Sequence, residues 1–160
     1  MISIAPLVYA PSMDRIRVLL RVILAAMVVS LLATSSRAMA PNGRYAISNG
    51  TVLDTKTRLT WQQIAPSQTY TWADATNYCR TLGLNGSGWR LPTMRELATL
   101  VDIRQIALMI DGTAFPGTPA QWFWAATPAL TPSNAWAVDF YSAGTASYPL
   151  STTYYVRCVR

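Results

Sequence analysis

The stretch GWRLPTMRELATLVD, Gly88 to Asp102, carries the densest structural signal in the chain. Pro92 disfavours helix at Leu91, so the chain arrives extended. Thr93 followed by Glu96 has the spacing of a capping box, in which each residue satisfies an orphan N–H of the other. Met94, Leu97, Ala98 and Val101 then recur at helical spacing, with Leu100 beside them. The pattern predicts a helix from about Met94 to Ile103. Trp89 and Leu91 read as buried, and Arg90 as the partner of an acid such as Asp102 or Asp139. Capping and packing account for every residue here, so nothing in the stretch requires catalysis.

Upstream, TYTWADATNYCRTLGL predicts a first helix. Thr71 caps it with Asp74 three residues on, and Gly83 ends it. Trp72, Ala75, Cys79 and Leu82 share one face, which turns Cys79 inward. Before it, turn residues punctuate short β-type runs at about Tyr45–Ser48, Thr51–Asp54 and Leu59–Gln62. Asn49-Gly50 is a hairpin dipeptide. Asn49-Gly50-Thr51 and Asn85-Gly86-Ser87 also match the N-glycosylation pattern, but turn chemistry explains both. After Asp111, glycines and prolines recur, with strand-like runs at QWFWAAT, AWAVDFYS and TTYYVRCVR. The expected architecture is one α+β domain over residues 41–160.

Residues 1–40 read differently. A basic patch (Arg15, Arg17, Arg21) precedes an apolar run from Val22 to Ala33, shorter than the roughly 20 residues needed to span a bilayer. Ala38 and Ala40 then occupy the small-residue positions of a cleavage site. This predicts a secretory signal peptide cut near Ala40, starting at Met13 rather than Met1, with an uncleaved anchor as the alternative. Export places the product in the periplasm, outside the cell or at its surface. The signal peptide is its only expected membrane contact.

The whole chain is +6, but residues 41–160 hold nine Lys/Arg against six Asp/Glu, a net +3. No Lys/Arg cluster of the kind that binds nucleic acid occurs. An even cysteine count in an exported chain predicts a disulfide between Cys79 and Cys158, the one intramolecular pairing available. The alternative is two buried free thiols.

Histidine is absent, which removes the usual nucleophile triads and His-based zinc sites. No phosphate loop or other cofactor motif appears, and no acidic cluster suggests a metal, although weak calcium binding stays open. A carboxylate pair for glycoside hydrolysis is a minor alternative. Five tryptophans (Trp61, Trp72, Trp89, Trp124, Trp136) read as core. Trp122 alternates with Phe123, so one of the two should face out. Trp122, Asn134 and Tyr141, in or beside the Gly112–Ser133 loop and the Tyr141–Tyr148 return, are the candidate ligand contacts.

Taken together, GRYAISNGTVLDTKTRLTWQQ, YTWADATNYCRTL, GWRLPTMRELATLVD, IDGTAFPGTP, FWAATP, AWAVDF and YVRCVR resemble, in this order, the Lcl C-terminal domain family. That bacterial family is named for the tail of a collagen-like surface adhesin. WRLPT before a Glu-containing helix also looks like the formylglycine-generating enzymes. The resemblance implies a C-type-lectin-like fold, two helices flanking a twisted antiparallel sheet with a long loop region. It also implies the fold's helix-to-last-strand disulfide, which Cys79 and Cys158 match. Those enzymes use a cysteine pair near the C-terminal end, which this chain lacks. It also lacks the Glu-Pro-Asn and Gln-Pro-Asp triplets of calcium-dependent lectins. Arg58 stands where related sequences commonly have Gly, and Ala125-Ala126 where Ser-Ser is usual. The expectation is a non-catalytic binding module for a carbohydrate, anionic polysaccharides included, or for a surface protein. The alternatives are an enzyme of the formylglycine-generating or carboxylate type, and a structural envelope protein. Oligomeric state is left open.

Overall fold

The computed structural model describes residues 43–160; the predicted signal peptide lies outside them. Strands β1 (Tyr45–Ser48), β2 (Thr51–Asp54) and β3 (Thr60–Gln62) form an antiparallel meander. Asn49 and Gly50 both have positive φ at its first turn. At the second turn Arg58 adopts φ +63°, the left-handed backbone that glycine takes without cost. Arg58 therefore holds this turn in a backbone conformation that glycine would adopt at lower cost. The turn's N–H groups are satisfied by Asp54, whose carboxylate also pairs with Arg44 at 2.8 Å.

Helix α1 (Trp72–Thr81) starts as predicted, with Thr71 Oγ1 accepting from Asp74 N. It buries Ala75 and Cys79. Helix α2 (Met94–Ala98) has the predicted reciprocal capping box, but it is five residues long and does not reach Ile103. Thr99, Leu100 and Val101 donate to carbonyls three residues back, tightening the last turn. The Thr99 hydroxyl also donates to the Glu96 carbonyl, and Arg44 takes the Thr99 carbonyl at 2.7 Å. The chain then leaves to pair Asp102 N with the Met109 carbonyl. The last helical carbonyls are thus closed within the turn and the Thr99 carbonyl by Arg44, and the apolar stripe continues as an irregular turn that still buries Leu100.

A second antiparallel sheet contains β4 (Trp122–Pro128), β5 (Asn134–Asp139) and β6 (Thr145–Pro149). The strands therefore fall into two three-stranded sheets rather than one. Strand β6 occupies the segment read as a return loop, and its register with β5 is regular over five residue pairs. Between Trp124 and Pro128 the β4–β5 register shifts. The backbone groups released there are taken by Trp72 Nε1, bound to the Ala125 carbonyl, and by Pro92, whose carbonyl accepts from Ala126. Ala125 is fully buried, so the position lacking a hydroxyl faces the core.

The terminal run TTYYVRCVR forms isolated bridges rather than a continuous strand. Its backbone nevertheless connects both sheets. Arg160 and Thr60 exchange two hydrogen bonds, Cys158 accepts from Gln62, and Tyr155 pairs with Trp122 and Trp124. Val159 also exchanges a pair of bonds with Arg90. Two hydrophobic clusters follow. Trp61, Leu97, Leu100, Phe115, Phe123, Phe140 and Val159 belong to one; Trp89, Leu91, Trp124, Val156 and the Cys79–Cys158 disulfide to the other.

Candidate binding surface

Two of the three candidate contacts come together. Trp122 and Tyr141, with Ala120, Gln121 and Asp139, line an open hollow of about 460 Å³. Trp122 lies opposite Asp139 in the β4–β5 register. Of the alternating pair, Phe123 is fully buried and Trp122 is the half-exposed member. Its ring is held edge-on by Tyr148, at 5.1 Å between centroids. Gly144 passes close by. A β-carbon there would come within 3.8 Å of the Trp122 ring and 3.0 Å of Ser142 Oγ.

Asp139 shapes the rim. Its carboxylate accepts from the Tyr141 and Ser142 N–H groups, at 3.0 and 3.2 Å, and from Ser142 Oγ at 2.6 Å. That local turn leaves Tyr141 62% exposed. Asn134 is not part of this hollow. It lies at the opposite end of β5, opposite Pro149, roughly 16 Å away by strand rise. There its backbone N–H donates to Thr131 and its carbonyl accepts from Ala129.

An aromatic layer runs away from the hollow. Tyr148 meets Tyr154 at 4.9 Å, and Tyr154 meets Trp124 at 5.0 Å. Burial and the adjacent Tyr148 raise the Tyr154 hydroxyl to about 12, so it stays protonated. Tyr154 and Tyr70 exchange backbone hydrogen bonds, and beyond them a second open groove follows α1.

The Gly88–Asp102 residues serve the frame. Trp89 and Leu91 are buried as expected. Trp89 Nε1 donates to the Leu84 carbonyl, and the Arg160 guanidinium lies 4.8 Å over its ring. Arg90 pairs with neither Asp102 nor Asp139. Both its terminal nitrogens bind Glu96, at 2.7 and 2.8 Å. Glu96 also accepts from Thr93 N, so one carboxylate closes the cap and orients the arginine. The Arg90 hydrogen bond outweighs partial burial and holds the Glu96 carboxyl at about 2. Asp102 pairs instead with Arg104 two residues on.

The other acids also have structural partners. Asp54 binds Arg44, Asp74 accepts from the Thr71 hydroxyl, and Asp111 accepts from the Thr113 and Ala114 N–H groups. Among the described residues no three His, Cys, Asp or Glu side chains gather as a metal would require.

One residue carried no sequence signal. Arg157 is fully buried, with no carboxylate partner among the described residues. Its Nη1 donates to the Gln62 and Gln63 carbonyls, and Nη2 donates to Thr118 Oγ1 at 2.6 Å. The guanidinium faces the Phe115 ring at 4.8 Å. Burial pulls its pKa down to about 9, which still leaves a cation at neutral pH. It is a strut between β3, the Thr118 loop and the terminal segment. A basic residue flanked by Val156 and Cys158 has no local feature that separates such a strut from a surface arginine.

This is a small disulfide-linked α+β domain whose catalytic-type side chains are committed to its frame and whose aromatics border open hollows. The chain belongs to the Lcl C-terminal domain family, whose model matches residues 50–160. No curated protein matches it.

Proposed function

We propose that the domain is a non-catalytic binding module of an exported protein, with the strand and helix arrangement of the C-type-lectin-like fold, and that its ligand is a carbohydrate. The observation that carries this reading is the hollow formed by Trp122 and Tyr141. It offers a partly exposed indole and an exposed phenol beside the exposed Gln121 amide, on a rim that the buried Asp139 carboxylate fixes from within. Sugar rings present C–H faces to aromatics and hydroxyls to planar polar groups, and binding sites commonly combine these two elements. The commitment of each carboxylate to a cap, a turn or an ion pair supports the non-catalytic reading. The buried Cys79–Cys158 bond fits an oxidising compartment and so supports export after cleavage near Ala40.

An anionic polysaccharide is one expected ligand class because the net charge of residues 41–160 is positive. The test is a glycan array carrying neutral, sulfated and uronic-acid chains, probed with the purified protein at two salt concentrations. Binding to anionic chains that weakens with salt supports that class. Trp122→Ala and Tyr141→Ala should each weaken binding by about tenfold; unchanged affinity in both removes the hollow from consideration. A surface protein is the second reading, favoured by Ile103 and Ile106, which are 78% and 94% exposed in one loop. A blank array with captured envelope protein lost in Ile106→Asp supports it.

A further inference from the structure

We propose that the groove along α1 is a separate binding site for a neutral, hydroxyl-rich chain such as an uncharged oligosaccharide, independent of the Trp122 hollow. The groove has a volume of about 750 Å³ and nine lining residues. Two are Tyr70 and Tyr78; the other seven are Thr, Asn, Gln and Asp. Every one carries a hydroxyl, amide or carboxylate, none is aliphatic and none is a cation. An acyl chain or apolar peptide would find no apolar wall here. A sulfated or phosphorylated chain would meet the exposed Asp74 carboxylate in the wall, while the Arg80 guanidinium on the same helix stays outside the lining, with Nη2 donating to Asn77 Oδ1 at 2.7 Å. A neutral polyol meets neither objection.

The two rings are fixed in advance. Their centroids are 5.1 Å apart with planes tilted by 38°. Gln68 Nε2 donates to the Tyr70 hydroxyl at 2.6 Å, and Gln62 Nε2 donates to the Tyr78 hydroxyl at 2.8 Å. Holding each phenol by its oxygen leaves little rotation to lose when a ligand packs against the rings. Around them Thr69, Asn77, Thr81 and Thr153 are exposed, and Asn77 and Thr81 lie on the same helix one turn apart. Hydroxyl and amide groups at that spacing suit successive hydroxyls of an extended chain better than one compact sugar.

The experiment is a titration of the isotope-labelled protein by NMR with neutral hexasaccharides (α- and β-linked glucose, and mannose), and with a uronic-acid hexasaccharide for comparison. Three forms are compared: wild type, Asn77→Trp and Asp74→Asn. Asn77→Trp fills the groove from an exposed helix position. The expected result is amide shifts within 68–81 on adding a neutral chain, read separately from any shifts at 120–122 and 139–141, with the affinity reported by 68–81 reduced at least about tenfold by Asn77→Trp. Asp74→Asn should keep the neutral ligand and admit the uronic chain more readily. Neutral binding unaffected by Asn77→Trp, or preference of the wild-type groove for the uronic chain, overturns the proposal while leaving carbohydrate recognition at Trp122 standing. No shift in 68–81 with any of the sugars also overturns it.

Discussion

Two segments place an arginine at the centre of the frame, by different physics. In Gly88–Asp102, Arg90 stays half-exposed and finds Glu96 six residues away. In the terminal segment, Arg157 is fully buried and finds carbonyls about 95 residues away, with no acid among the described residues paired to its charge. The first arrangement can begin to form wherever the local helix start forms. The second exists only after β3, the Thr118 loop and the chain end have met. Local chemistry therefore shapes the Arg90 site, while the Arg157 site depends on the whole fold and should cost more to disturb.

That contrast predicts a ranking. The largest effect should come from the disulfide, which joins the same terminal segment to α1 across a sequence separation of 79. The double variant Cys79→Ala/Cys158→Ala should lose roughly 4–5 kcal/mol by the chain-entropy estimate, measured by urea unfolding. A loss below about 1 kcal/mol would mean that the unfolded chain already keeps these ends close.

Arg157→Ala comes next. It strands the buried Gln62 carbonyl and the part-buried Gln63 carbonyl and opens a void against Phe115, for a loss of roughly 3–4 kcal/mol. Arg157→Lys should recover only part, because an ammonium cannot reproduce the planar fork. An Arg157→Ala protein as stable as wild type would break the comparison outright.

Glu96→Gln tests the other side. Gln can still cap, so the variant isolates the charge. With Arg90 half-exposed, solvent screening limits the loss to about 1 kcal/mol near neutral pH. The folded carboxyl titrates at about 2 against an ordinary 4.5. Its contribution is therefore complete above about pH 5 and fades as pH falls toward 2. Wild type and Glu96→Gln should converge in stability over that window, and a gap that persists at pH 2 would assign the effect to something other than the ion pair.

The smallest effect is a gain. Arg58 has φ +63°, so Arg58→Gly should relieve left-handed strain and stabilise by about 0.5 kcal/mol after the added unfolded-state entropy. Thermal melting would show it as a small rise in Tm.

The elements that sequence reading located share one property: their signals lie within a few residues. The Thr71 and Thr93 caps, the Asn49-Gly50 turn and the alternation around Trp122 and Phe123 each depend on neighbours along the chain. Strand β6 was missed because Thr145–Pro149 follows Gly144, mixes small residues with a single Tyr and ends in Pro, and only pairing with β5 makes it a strand. The terminal run misled in the opposite sense. Its β-branched and aromatic residues suggest a strand, but its backbone bonds are divided between two sheets and Arg90. Helix α2 stopped early because Arg44, 55 residues away, takes the Thr99 carbonyl and Met109, across a short local turn, takes the Asp102 N–H. The hollow was half legible, since Trp122 and Tyr141 met and Asn134 did not. A strand's two ends are only five residues apart in sequence but far apart in space. The α1 groove was not legible, because Thr153 reaches it only through the Tyr70–Tyr154 pairing.

The sequence by itself determined the helix starts, the turn positions, the inward face of α1 and the one possible disulfide, because these follow from local sterics, periodicity and a count of two. Tertiary structure alone decided that Arg157 is an interior strut and where open grooves form beside aromatic rings. Those features depend on contacts between residues tens of positions apart, whose energies appear only after the chain has closed on itself.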